Sequence, residues 1–155
     1  MSPPYSHPEV IVSTDWVASH LNDPSVVIVE INTNLIEGYD TGHVPNSVGW
    51  SLHIDLEDQV RRDIPKIEQI ESLLRMAGIS KETTIVLYGD GNNRSATWAF
   101  WILKIYRHQD VRIMDGGRRK WLEEDRELST DSVFLFICLY HLSTLDRSIR
   151  AMQDY

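Results

Sequence analysis

The stretch VLYGDGNNRSATWAF, Val86 to Phe100, decides the fold. A β-branched, apolar run from Thr83 to Tyr88 stops at a glycine and gives way to Gly89-Asp90-Gly91-Asn92-Asn93-Arg94. A segment of helical character follows, from Ser95 to Tyr106. Strand, short Gly/Asn loop and helix form the connection of a parallel α/β sheet, in which ligands collect at the carboxyl ends of strands. The glycines let successive N–H groups point inward as a nest for an anion, and the dipole of the following helix adds to it. A cysteine opening such a loop would be held as a thiolate. Position 89 carries glycine instead.

Working outward, Ser25 to Ile31 (SVVIVEI) is a continuous β-branched run, which predicts a strand covered on both faces. Val10 to Val12 and Val48 to Trp50 are shorter strand candidates. Ser13 is placed to cap a helix in TDWVASHL, where Trp16, Val17 and Leu21 share a face. The clearest helix lies in IPKIEQIESLLRMAGI. Ile67, Ile70, Leu73, Leu74 and Ala77 fall at helical spacing, Pro65 stands near the start and Gly78 suits the position after the last turn. The Ser95–Tyr106 segment is apolar nearly all round, which predicts a helix in the middle of the core. Trp50, Trp98, Trp101 and Trp121 are all expected there. DVRIM predicts a strand, Asp115-Gly116-Gly117 a tight turn, and RRKWLEED a last helix. The alternation predicts an α/β fold with a central, mostly parallel sheet flanked by helices.

The bulk composition narrows the function. With 155 residues the chain can bury one full core. Net charge is −8 and no basic patch stands out, so no nucleic-acid partner is expected. The six histidines show no metal-ligand spacing and the single cysteine, Cys138, forms no zinc set, so neither metal nor other cofactor is expected. The opening residues lack a basic stretch before an apolar core, so a cytoplasmic location is expected. Residues 1–8, with three prolines, read as an N-terminal arm. The composition changes near Ser129, and the run from Val133 to Tyr140 is shorter than the roughly 20 residues a bilayer span needs. No membrane role is expected. Cys138 sits among Phe, Ile and Leu, surroundings that raise a thiol pKa and make it inert.

Four stretches then carry a family resemblance: YDTGHVPNSVGW, DLEDQVRRDI, TIVLYGDGNNRSATWAFWILK and HQDVRIMDGGRRKW. In this order and spacing they resemble the rhodanese (thiosulfate sulfurtransferase) family, specifically the N-terminal domain of its two-domain members. The resemblance covers residues 9–128 and implies a three-layer rhodanese-like fold. In catalytic domains of the family the loop opens with a persulfide-carrying Cys, and a later Arg helps hold the sulfur donor. The Cys position falls at Gly89 and the Arg position at Arg94. The nucleophile is lost and the arginine kept, the pattern of the family's non-catalytic N-terminal domains. Residues 129–155 are expected to be a divergent tail, as a frameshift or truncation would produce, in place of the family's second domain.

The resemblance thus implies a degenerate loop, Gly89 to Arg94, with no catalytic residue. The domain is expected to support a Cys-bearing rhodanese domain or, with that surface exposed, to self-associate. Active transfer of sulfane sulfur from thiosulfate to cyanide or a thiol, and a stand-alone anion-binding module, are the alternatives. Cell-cycle-type phosphatase chemistry is excluded, because Tyr88 occupies the position its Cys would need. Asp90 either fills the amide nest or is a solvated acid. Arg94 either binds a small anion or pairs with Asp90 or an acid across a domain interface. Asn92 and Asn93 suit left-handed turn geometry. His43 is expected to serve the turn it lies in, and Glu30 to serve a hydrogen-bonding role at its strand end.

Overall fold

The computed structural model describes residues 6–131 and residue 133. Five strands, β1 (Ile11–Val12), β2 (Val26–Asn32), β3 (Val48–Ser51), β4 (Thr84–Gly89) and β5 (Val111–Met114), form one parallel sheet in the order β1-β5-β4-β2-β3. Five helices accompany them: α1 (Thr14–Ser19), α2 (Leu52–Asp55), α3 (Ile67–Met76), α4 (Asp90–Ile105) and α5 (Gly117–Glu123). β4 lies between β2 and β5, so the loop after it opens at the middle of the sheet edge.

The run of apolar residues in β2 and β4 is explained by the two-residue period of a strand. Val29, Ile31, Ile85 and Leu87 face a cluster shared with Leu73 and Leu74 of α3 and Ala99 and Leu103 of α4. Ile28, Val86 and Tyr88 point the other way, onto Val17 of α1, Met114 and Trp121 of α5. Both faces are buried, which gives three layers. Each fully buried Ile, Leu or Val stabilises by about 1.5–3 kcal/mol, far more than the propensity of any single strand residue.

Local signals hold where the sequence supplies them. The Ser13 hydroxyl accepts the Trp16 N–H at the start of α1. Gly78 follows the last turn of α3 with φ +68°. The short helix α2 was not anticipated, although Ser51 caps it by accepting the Ile54 N–H.

One expectation is corrected. Helix α4 is not buried all round: Trp101 is 64% exposed and Trp98 36%. The reason is steric. The helix lies against the sheet through Ala96, Ala99, Ile102 and Leu103, and its small residues allow close approach. That face leaves the two indoles pointing outward. Trp50 and Trp121 are buried as expected.

Two boundaries are partly visible. Pro8 opens a 3₁₀ turn through Val10 at the end of the N-terminal arm. His43 and Ser129 exchange two backbone hydrogen bonds of 2.8 Å, and the His43 ring meets the Asp131 carbonyl at 3.0 Å. Contacts of the domain therefore run as far as Asp131. Cys138 and the rest of the apolar run lie outside the described residues.

Candidate functional site

The turn that joins β4 to α4 starts at Gly89, the last residue of β4, and runs through Gly91, Asn92 and Asn93, which are non-helical within the bounds of α4. Gly89 pairs with Ile31 across the β2–β4 ladder. A β-carbon built on Gly89 would stand 2.5 Å from the Ile31 carbonyl oxygen, a contact that backbone cannot yield cheaply. A side chain of any kind at this seat requires the backbone of the strand end to shift.

The next turn is left-handed. Gly91, Asn92 and Asn93 have φ of 60°, 56° and 62°. Asparagine tolerates this region because its short amide bonds locally. Asn93 is buried: its Oδ1 accepts the Gly89 N–H at 3.0 Å and its Nδ2 donates to the Met114 carbonyl at 2.8 Å. One side chain thus ties the loop's start to the end of β5. Gly117 completes the fit, since a β-carbon there would lie 2.4 Å from Asn93 Oδ1.

Asp90 is the solvated acid of its two alternatives. Its side chain is 62% exposed and its nearest cation is Arg118, with Nε at 3.8 Å. Among the described residues no backbone amide donates to it. The inward-facing Gly89 N–H is taken by Asn93.

Arg94 is exposed and makes no ion pair or side-chain hydrogen bond among the described residues. Beside it Ser95 is buried with an unpartnered hydroxyl among the described residues. Both line a cleft of ≈ 340 Å³ with Asn32, Thr33, Asn34 and Asp90.

Beneath the loop lies a buried polar network. Glu30, fully buried in β2, accepts from Arg118 Nη1 at 2.8 Å, from Asn32 Nδ2 at 2.7 Å and from the Tyr88 hydroxyl. The Tyr88 oxygen in turn accepts the Val44 N–H at 3.0 Å. Burial pushes the Glu30 carboxyl up, against the pull of Tyr88, Arg118 and Asn32. Burial also pushes the Tyr88 phenol well above its ordinary value, and the Glu30 charge adds to this. Tyr39, whose hydroxyl donates to the Ser47 carbonyl, is raised to about 12 for the same first reason. These phenols stay protonated donors. His43 stacks on Tyr39 with ring centroids 3.7 Å apart, and its Nδ1 lies 2.9 Å from the Tyr39 carbonyl.

Residues 13–124 match the model of the rhodanese-like domain. The chain belongs to the rhodanese family. Among relatives, it is 46% identical over 150 residues to the "Sulfur carrier protein TtuD" of Thermus thermophilus, covering 97% of this chain and 52% of that protein. It is 42% identical over 146 residues to a Mycolicibacterium smegmatis protein named "Putative thiosulfate sulfurtransferase", covering 94% and 52%. A solved Escherichia coli structure described under 3-mercaptopyruvate sulfotransferases, SseA, superposes with a TM-score of 0.74 at 27% identity, over 81% of this chain and 52% of that one. The chain spans about half the length of the curated relatives it matches. The Thermus match, at 97% of the chain, also runs into the segment after residue 128.

The rhodanese loop thus gathers Gly89, Asp90, Gly91, Asn92, Asn93 and Arg94 at one sheet edge, but the six do not act alike. Asn93 locks the loop, and Arg94 faces the cleft. Sequence reading missed Arg118 and Ser95. Arg118 sits in a run of three cations that reads as a solvated helix face, and only the fold turns it onto Glu30. Among the described residues no cluster of His, Cys, Asp and Glu could hold a metal, and no helix is long and apolar enough to cross a membrane.

Proposed function

We propose that this rhodanese domain is non-catalytic and supports a catalytic partner domain in a thiosulfate sulfurtransferase-type protein. One observation carries the reading: the position where the resemblance puts the sulfur-carrying cysteine is a glycine pressed against the Ile31 carbonyl. Sulfane-sulfur transfer needs a thiolate to take sulfur from the donor and a positive environment to hold it. The loop keeps an exposed arginine but has no thiol, and its first amide is spent on Asn93. The names of the relatives support thiosulfate sulfur transfer or sulfur carriage as the reaction class of the whole protein.

The test is a thiosulfate:cyanide assay on the purified chain, alone and with a separately expressed Cys-bearing rhodanese domain. Turnover is expected only with the partner. A cyanide-labile persulfide trapped on the isolated chain, lost in Cys138→Ser, would instead support the alternative of an active sulfurtransferase.

A second reading, a small-anion module, is favoured by the unpaired Arg94 and the free Ser95 hydroxyl in one cleft. Calorimetric titration with thiosulfate, sulfate and phosphate tests it. Binding lost in Arg94→Ala is the expected signature, and no heat with any of the three removes this reading.

A further inference from the structure

One pair of stacked rings holds the last described residues against the domain. His43 and Ser129 exchange two backbone hydrogen bonds of 2.8 Å. The Tyr39 hydroxyl donates to the Ser47 carbonyl and accepts the backbone N–H of Val133. Leu128 lies against Gly42, where a β-carbon would stand 3.2 Å from Leu128 Cδ1. Leu128, Ser129, Asp131 and Val133 thus form a strap laid over the turn that carries Tyr39 and His43.

The His43 ring sits between two acceptors. Its Nδ1 is 2.9 Å from the Tyr39 carbonyl oxygen and its Nε2 is 3.0 Å from the Asp131 carbonyl oxygen. A neutral imidazole has one N–H, so it serves one carbonyl and turns a lone pair on the other; an imidazolium serves both. The ring is buried and stacked on Tyr39 with an interplanar angle of 3°, so it does not turn away. The Tyr39 carbonyl belongs to the same turn, and only the Asp131 contact ties that turn to the strap. In either tautomer a second proton makes the strap contact a charge-assisted bond, shorter and stronger than a neutral one.

The titratable and charged groups on the surrounding elements are Asp40 of the same turn, Glu30 of β2, Tyr88 of β4, Arg118 of α5 and Asp131 of the strap. Glu30 and Arg118 pair with each other, and Arg118 Nη2 also donates to the Gly38 carbonyl at 3.3 Å. Tyr39 and Tyr88 are pushed up by burial and stay neutral. Asp40 and Asp131 are exposed. Histidine is the side chain among these types whose charge ordinarily changes near neutrality.

We propose that His43 is a proton-operated latch: its second ring proton locks the strap onto the turn at mildly acidic pH, and loss of that proton loosens the strap while the sheet stays folded. The curated relatives continue for about as much chain again, so in such a protein the latch sets how firmly the domain holds the start of that continuation. The proposal does not depend on the non-catalytic reading.

Nuclear magnetic resonance on the full chain, between about pH 5.5 and 8, tests it. The ring nitrogen shifts of His43 report its charge, and amide exchange divided by the intrinsic rate at each pH reports the strap. Protection of the Ser129 and Val133 amides is expected to fall about tenfold as the ring loses its second proton, the difference between a charged and a neutral hydrogen bond. Amides of β4 are expected not to follow. Burial lowers the pKa of His108, which makes global stability fall on acidification, so tightening of the strap on acidification has the opposite sign. His43→Gln keeps an N–H donor that does not titrate and is expected to flatten the strap's pH dependence. Strap protection that is constant with pH, or that moves together with β4, overturns the proposal. So does a pH dependence that survives His43→Gln. If that variant does not fold, the wild-type curves decide: coincident midpoints for ring and strap support the latch, and separate midpoints overturn it.

Discussion

The carbonyl oxygen of Ile31 stands 2.5 Å from the place a β-carbon on Gly89 would occupy. The φ of Gly89 is −174°, extended backbone open to any residue, so the obstacle is a neighbour and not the glycine's own conformation. Restoring a cysteine is therefore not a matter of one codon. Gly89→Cys is expected to cost about 1–3 kcal/mol through overpacking and to leave thiosulfate:cyanide activity at background. Denaturant midpoint and assay together check this. An active, undestabilised variant would show that the strand end yields.

Asn93 carries the loop conformation. Asn93→Ala removes an acceptor from the Gly89 N–H and a donor from the Met114 carbonyl, both buried, and leaves alanine at positive φ. An unsatisfied buried partner costs about 1–3 kcal/mol, so a loss of roughly 2–4 kcal/mol is expected in urea unfolding. Asn93→Gly relieves the backbone and should recover only part of it.

Glu30 and Arg118 form a buried charged pair, and breaking one side of such a pair costs about 3–5 kcal/mol. Glu30→Gln and Arg118→Met are each expected to approach that range. The double variant should cost much less than their sum, because it leaves no charge stranded. Additive losses would mean that the two side chains stabilise the fold independently.

Asp90→Asn is expected to change stability by no more than about 0.5 kcal/mol, since the Asp90 carboxylate is largely exposed and its 3.8 Å contact is to an arginine already paired with Glu30. A clear drop in denaturant midpoint would place its carboxylate in the amide nest after all.

His108 gives the fold a pH dependence. It is buried, its Nε2 lies 2.8 Å from the Thr83 carbonyl, and its Nδ1 has no partner. Burial holds its pKa below the ordinary 6.5. The unfolded chain thus takes up its proton first as pH falls, so stability is complete above 6.5 and declines from there toward the lowered folded value. Glu30, raised by burial, acts in the opposite sense above 4.5, so the difference between wild type and His108→Gln isolates the histidine. That difference should shrink as pH falls from 7 through 6.5. A difference constant with pH would remove this assignment.

The sequence by itself determined the strands, the other helices and the fold class, but not α2. β-branched runs, the helical spacing of Ile67 to Ala77, and the caps at Ser13 and Gly78 act within a few residues, so their physics is written locally. It also showed that no cysteine opens the loop. Only the tertiary structure showed how the turn is built around the glycine in that place. Ile31, Gly89, Asn93 and Gly117 meet because parallel pairing brings distant strand ends to one edge, and no local pattern encodes that approach. The same holds for Arg118, turned inward by Glu30 from 88 positions away. It holds too for Trp98 and Trp101, which hydrophobicity alone would bury and which the small residues of α4 leave outside.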